Sequence, residues 1–182
     1  RILTDPRWDL KFIGMQIIIE GLALAAFERQ RATVMDPLLK DIFYLVIRDE
    51  ARHVTFGVNY LEEFVGTLSE KERNDRAQFA YEACVVMRNR FGSTNVINHY
   101  GWDAEAAAES QVGSEAGRLF ANLLFSKIMP NLRKIGLLTD EVSEKYEEMG
   151  ILQFKDLDDA TVTDWDEMTK PLESGFVISS QS

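Results

Sequence analysis

Met15-Gln-Ile-Ile-Ile-Glu20-Gly-Leu-Ala-Leu-Ala-Ala-Phe27 is an apolar run with one carboxylate at its centre, and Tyr44-Leu-Val-Ile-Arg-Asp49-Glu50-Ala-Arg52-His53 is a second run ending in an acid and an imidazole. Steps of three and four from Glu20 meet Ile13, Ile17, Leu24 and Phe27, the spacing of one helix face. Glu50 and His53 stand three apart, so both project from one side of a helix and can reach the same ion. Steps back from Glu50 meet Val46 and Phe43, and steps forward from His53 meet Phe56, Gly57 and Tyr60. Both faces are therefore expected to be buried.

Working outward, Thr4-Asp5-Pro6 and Met35-Asp36-Pro37 are the same helix start, an Asp to cap free amides and a Pro at the first helical position. They predict helices over residues 6–32 and 37–65, joined so tightly that the two fold back as an antiparallel hairpin. Ser69-Glu70-Lys71-Glu72 has capping-box spacing and predicts a third helix to about residue 91, with Phe79, Ala83, Val86 and Phe91 among its apolar positions. After a turn-rich break over 92–102, residues 103–111 and 114–132 read as a fourth, broken helix ending near Pro130. Thr139 is expected to cap a short helix over 140–149, with Glu141, Glu144, Glu147 and Glu148 as its solvated side.

The fold class is thus all-α. Residues 1–150 read as the helical domain, and residues 151–182 as an acidic, then Ser-rich, extended or loosely docked tail. With 182 residues, 46% apolar and 27% charged, the chain can bury a substantial core. Its net charge of -10 argues against nucleic acid or an anionic membrane surface as partner. The most hydrophobic run, residues 12–27, reads as shorter than a membrane span and is interrupted by Gln16 and Glu20. The single cysteine, Cys84, excludes an internal disulfide framework and fits a reducing, cytoplasmic setting. The opening Arg1-Ile2-Leu3-Thr4-Asp5, without an initiator Met, reads as a domain cut in its interior.

A carboxylate on an apolar face must be protonated, paired or bound to a cation. For Glu20 alone, an Arg partner or a hydrogen bond to a neighbouring helix is a readier answer than a metal. A lone Glu-x-x-His is also a weak signal. The hairpin changes this balance, because the midpoint between Glu20 and the Glu50/His53 pair falls at Asp36-Pro37, the helix break. All three side chains are then expected at one level, and carboxylates with an imidazole suit iron or manganese, whereas structural zinc usually takes cysteines.

These residues resemble half of the site in ferritin-like di-iron carboxylate proteins, a Glu on one helix and Glu-x-x-His about thirty residues on. Asp49-Glu50-Ala51-Arg52-His53 looks like the motif of the oxygenase members and is similar to that of ribonucleotide reductase small subunits and carrier-protein desaturases. The resemblance covers residues 6–65. It implies a ferritin-like helical bundle with two Fe ions, or Mn at one or both positions; Glu20 as a bridging or chelating ligand, Glu50 as a bridge and His53 as a nitrogen ligand. Asp49 is implied to fix a ligand histidine's tautomer and Arg52 to tie the acidic cluster, unless the two simply form a surface ion pair. The implied activity is that of a non-haem di-iron oxidoreductase that activates dioxygen and oxidises a small organic substrate, with Ile17, Leu24, Phe43 and Phe56 as candidate wall residues. A ferritin-type iron oxidase or storage protein and a metal-free helical interaction module are the alternatives.

One departure is plain. A whole site needs two Glu-x-x-His sets and this sequence holds one, since His99 has Val96 at the corresponding position and reads as a helix-end residue. The remaining ligands are expected on an N-terminal helix pair upstream of Arg1, or on a homodimer partner that completes the bundle. Tyr44 and Tyr60, near the motif, read as core aromatics.

Overall fold

The computed structural model describes residues 4–90, 94–103, 114–157 and 172–175, and among them every regular element is a helix. Helix α1 runs Trp8–Thr33 with a π-helical stretch, Ile13–Ile19, inside it. It is followed by α2 (Pro37–Gly66), α3 (Glu70–Arg90), α4 (Thr94–His99), α5 (Glu115–Lys134), α6 (Asp140–Glu148) and a single 3₁₀ turn, Leu152–Phe154. The expected hairpin is present: α1 packs along α2, with α3 and α5 also against it, so α1 is the helix the others surround.

The start signals fared differently. Asp36 caps α2 as expected, its carboxylate accepting from the Leu39 amide at 2.9 Å with Pro37 at the first helical position. Asp5 does not cap α1, which begins at Trp8, two residues later than expected. Its Oδ1 accepts from the Arg7 amide at 3.0 Å and its Oδ2 from the guanidinium at 2.8 Å, and this local clamp takes the place of a cap. At α3 the capping box forms reciprocally, Ser69 N donating to Glu72 Oε2 at 3.0 Å and Glu72 N to Ser69 Oγ at 3.4 Å. Val86, one of the apolar positions of α3, is 56% exposed, because α3 turns Ala80, Cys84 and Met87 inward instead. Residues 91–93 and 104–113, and with them Phe91 and the first piece of the predicted fourth helix, lie outside the described residues.

The fourth helix does not end near Pro130; α5 continues to Lys134. A proline removes one ladder bond, here the one to the Ser126 carbonyl, and the Asn131 side-chain amide donates to the next carbonyl, that of Lys127, at 2.8 Å. Helix α6 starts at Asp140 with no side-chain cap from Thr139, and Glu141, Glu144, Glu147 and Glu148 are exposed as expected. Past Gly150 the chain stays with the domain at first, Ile151 being 5% exposed in the core. Residues 172–175 are moored to α2, where the buried Asp41 carboxylate accepts from the amides of Glu173 at 2.9 Å and Ser174 at 2.8 Å.

The core is one contiguous cluster built on Leu10, Ile13, Ile17 and Leu24 of α1, Val54, Val58 and Leu61 of α2, and Leu124, Ile128 and Leu132 of α5. The apolar run of α1 is longer than its sequence suggests: with its flanks it forms a 26-residue helix that is long and apolar enough, by length and composition alone, to cross a membrane, and 44% of its most apolar window is buried in this fold. Across the α1–α2 contact Gly57 allows a close approach, since a methyl group there would overlap Cβ of Gln16 in the π-helical stretch. Glycine is required at that point by space, not by backbone angle.

Candidate metal centre

Glu20 is the first residue of regular α-winding after the π-helical stretch, and Glu50 and His53 lie mid-way along α2. The hairpin brings them together: one donor atom from each lies within 4.8 Å of the other two. Glu20 and Glu50 are half-buried and His53 is exposed. His53 Nδ1 stands 3.1 Å from Glu50 Oε2. Burial, followed by the hydrogen bond and the like charge of Glu50, raises the Glu20 carboxyl from 4.5 to about 7, with His53 acting the other way. Two carboxyls so placed favour a shared proton or a cation between them.

The expectation that this face is buried is corrected. Ile13, Ile17 and Leu24 are in the core, but they back α1 and leave Glu20 at its edge. On α2, Val46 and Phe43 are half-buried, while Phe56 is 64% and Tyr60 52% exposed. The side of the hairpin carrying the three donors is its outer side, so Phe56 is not a buried wall residue and Tyr60 is not core. Tyr44 is half-buried under the Arg31 guanidinium, 4.9 Å from its ring centre. Phe43 packs with Phe27, ring centres 5.9 Å apart.

Beside the donors runs an aromatic cluster from both helices. Trp8 meets Phe64 at 4.6 Å and Tyr60 at 5.4 Å, and Phe12 meets Phe56 at 6.1 Å between ring centres. Asp49 and Arg52 pair with each other at 3.2 Å on the exposed side of α2, as a surface ion pair does. His99 ends α4, exposed, against the ring of Tyr100 at 5.1 Å.

A buried ion pair escaped the sequence reading. Asp9 Oδ2 accepts from Arg76 Nε at 2.7 Å, with the two residues 3% and 9% exposed. Its signal was available: Asp9 stands four positions before Ile13, on the same buried stripe as the residues that drew attention to Glu20. The chain matches no known family model, no curated protein and no solved structure.

Proposed function

We propose that this chain carries one half of a carboxylate-bridged di-iron centre in a ferritin-like bundle and serves as a non-haem oxidoreductase of the oxygenase type. The observation supporting it is the meeting of Glu20, Glu50 and His53 within 4.8 Å. Two carboxylates and an imidazole suit iron or manganese. Glu20 fits the group as well, since a carboxyl held near 7 by burial and a second carboxyl is one that a cation relieves.

In this reading Glu20 and Glu50 would supply oxygen donors to the metal pair and His53 a ring nitrogen. When bound, the metal pair supplies the electrons by which dioxygen is activated and a small organic substrate is oxidised. The chain's own residues hold the donors, and water would be excluded only once the outer face that carries them is covered. Ile13, Ile17 and Leu24 fix α1 from behind, and Gly57 keeps α1 and α2 close enough for the donors to meet. The exposed Trp8, Phe56 and Tyr60 form the seat for a second helix pair that brings the remaining carboxylate and imidazole donors, from the same polypeptide or a second copy of it. The buried free thiol Cys84 suits a reducing compartment such as the cytoplasm.

Anaerobic titration of the 182-residue chain with ferrous ion tests the reading. Weak, saturable binding that disappears in both Glu50→Ala and His53→Ala, with helix content unchanged, is expected. Binding that survives both substitutions overturns it. A metal-free helical interaction module is the second reading, favoured by the direct Glu50–His53 contact at 3.1 Å beside an exposed aromatic surface; it expects no ferrous binding at all.

A further inference from the structure

The two halves of α2 are held differently. From Ala51 onward the helix buries Ala51, Val54, Val58, Leu61 and Val65, whereas over residues 26–50, the closed end of the hairpin, the one buried side chain is that of Asp41, 4% exposed. Met35, Leu38, Leu39 and Ile42 lie open around it. A buried carboxylate is costly unless its oxygens are answered, and both answers come from far along the chain. Oδ1 of Asp41 accepts from the Glu173 amide at 2.9 Å and Oδ2 from the Ser174 amide at 2.8 Å. Leu172–Gly175 is a turn: the Gly175 amide donates to the Leu172 carbonyl at 3.0 Å and Gly175 stands at φ +73°. The two amides between them face one anion, as in a backbone nest. The Glu173 carboxylate then reaches both helices, Arg31 of α1 at 3.6 Å and Lys40 of α2 at 3.5 Å.

We infer that Leu172–Gly175 is a releasable strap that clamps the closed end of the hairpin and sets how firmly the first half of α2, up to Glu50, is held. Its grip is polar. Glu173, Ser174 and Gly175 are exposed, Leu172 is half-buried, and none of them belongs to the core cluster, so letting go costs hydrogen bonds and little apolar burial. Besides the strap, Phe43 beside Phe27 and Tyr44 under Arg31 tie this half of α2 to α1, and none of these side chains is buried. Without the strap the Asp41 carboxylate turns to water, and the helix opens locally from the end that has no other buried side chain. Glu50 ends that half, so the strap and the donor cluster are joined through one helix. The inference concerns the helix itself and does not depend on whether the cluster holds metal.

Amide hydrogen exchange on the full 182-residue chain, without metal, provides the test in two variants that cut the clamp from opposite sides. Asp41→Asn keeps the shape and loses the charge that both amides seek. Ser174→Pro removes one amide donor and lies outside the described helices, so it decides the matter even if Asp41→Asn fails to fold. In both, amides of residues 41–50 are expected to exchange at least about tenfold faster, the effect of losing one or two hydrogen bonds to a carboxylate, while amides of residues 54–65 keep the parent rate. Exchange over residues 41–50 that stays at the parent rate in either folded variant, or acceleration spread equally over residues 54–65 in Ser174→Pro, would overturn the strap.

Discussion

Replacing Glu20 by Gln isolates the electrostatic cost of the carboxylate cluster. In the metal-free chain the Glu20 carboxyl is raised from 4.5 to about 7, so the folded state holds a proton that the unfolded state has released over that interval. Stability is therefore full below about pH 4.5, falls as pH rises through the interval, and carries the whole penalty above about pH 7. At about 1.4 kcal/mol per pH unit the shift corresponds to about 3 kcal/mol, which solvent screening of a partly exposed group reduces to about 1–2 kcal/mol. Gln keeps the shape and, through its amide, can donate to Glu50 as the protonated acid does, but it never ionises. Thermal unfolding followed by circular dichroism with chelator present should give nearly equal midpoints for parent and variant near about pH 5. Near about pH 8 the variant should melt about 2–8 °C higher, taking 2–4 °C per kcal/mol for a chain of this size. A gap between the two that does not change with pH would refute the reasoning.

Gly57→Ala should destabilise by about 1–3 kcal/mol and weaken ferrous binding together, because the new methyl group pushes Gln16 and hence α1 away from α2; unchanged chemical denaturation would show that the close approach is relaxed at no cost. Asp9→Ala should cost about 3 kcal/mol, the lower end for breaking a buried pair, because Asp75 stays 3.3 Å from Arg76; a melting shift no larger than that of an exposed substitution would count against the pair. Iron analysis with light scattering distinguishes the two sources of the remaining donors: two irons per dimer, lost along with dimerisation in His53→Ala, would assign them to a second copy, and sub-stoichiometric metal in a monomer would assign them to a helix pair elsewhere in the polypeptide.

The hairpin was legible because Asp36-Pro37 acts locally: a cap and a fixed φ need no tertiary partner. The convergence of Glu20 with Glu50 and His53 followed from it, since equal distances from one turn are a geometric consequence of antiparallel packing. The exposure of that face was not legible. An apolar stripe declares that it needs covering, and Phe56 and Tyr60 have the spacing of core residues, but nothing in a local pattern says which neighbour covers them. Asp5 and Pro130 misled for the opposite reason. Each is a strong local signal whose usual outcome was overridden, Asp5 by the guanidinium of Arg7 and Pro130 by the burial of Ile128, Met129 and Leu132 around it, which the pattern does not weigh.

The π-helical stretch of α1 also sets a phase. Each residue of an α-helix advances the side-chain direction by about 100°, and a wider turn holds it back, so Ile13–Ile19 governs the angle between the half of α1 before it and the half that begins at Glu20. Seven residues wound this widely turn through about the angle that six cover in an α-helix, so deleting one of them and returning the rest to α winding would leave Glu20 facing Glu50 and His53. The stretch is thus a reserve of chain length inside α1, whereas a deletion in the regular α winding that begins at Glu20 has no such reserve and would turn the residues beyond it by about 100° without altering a single ligand.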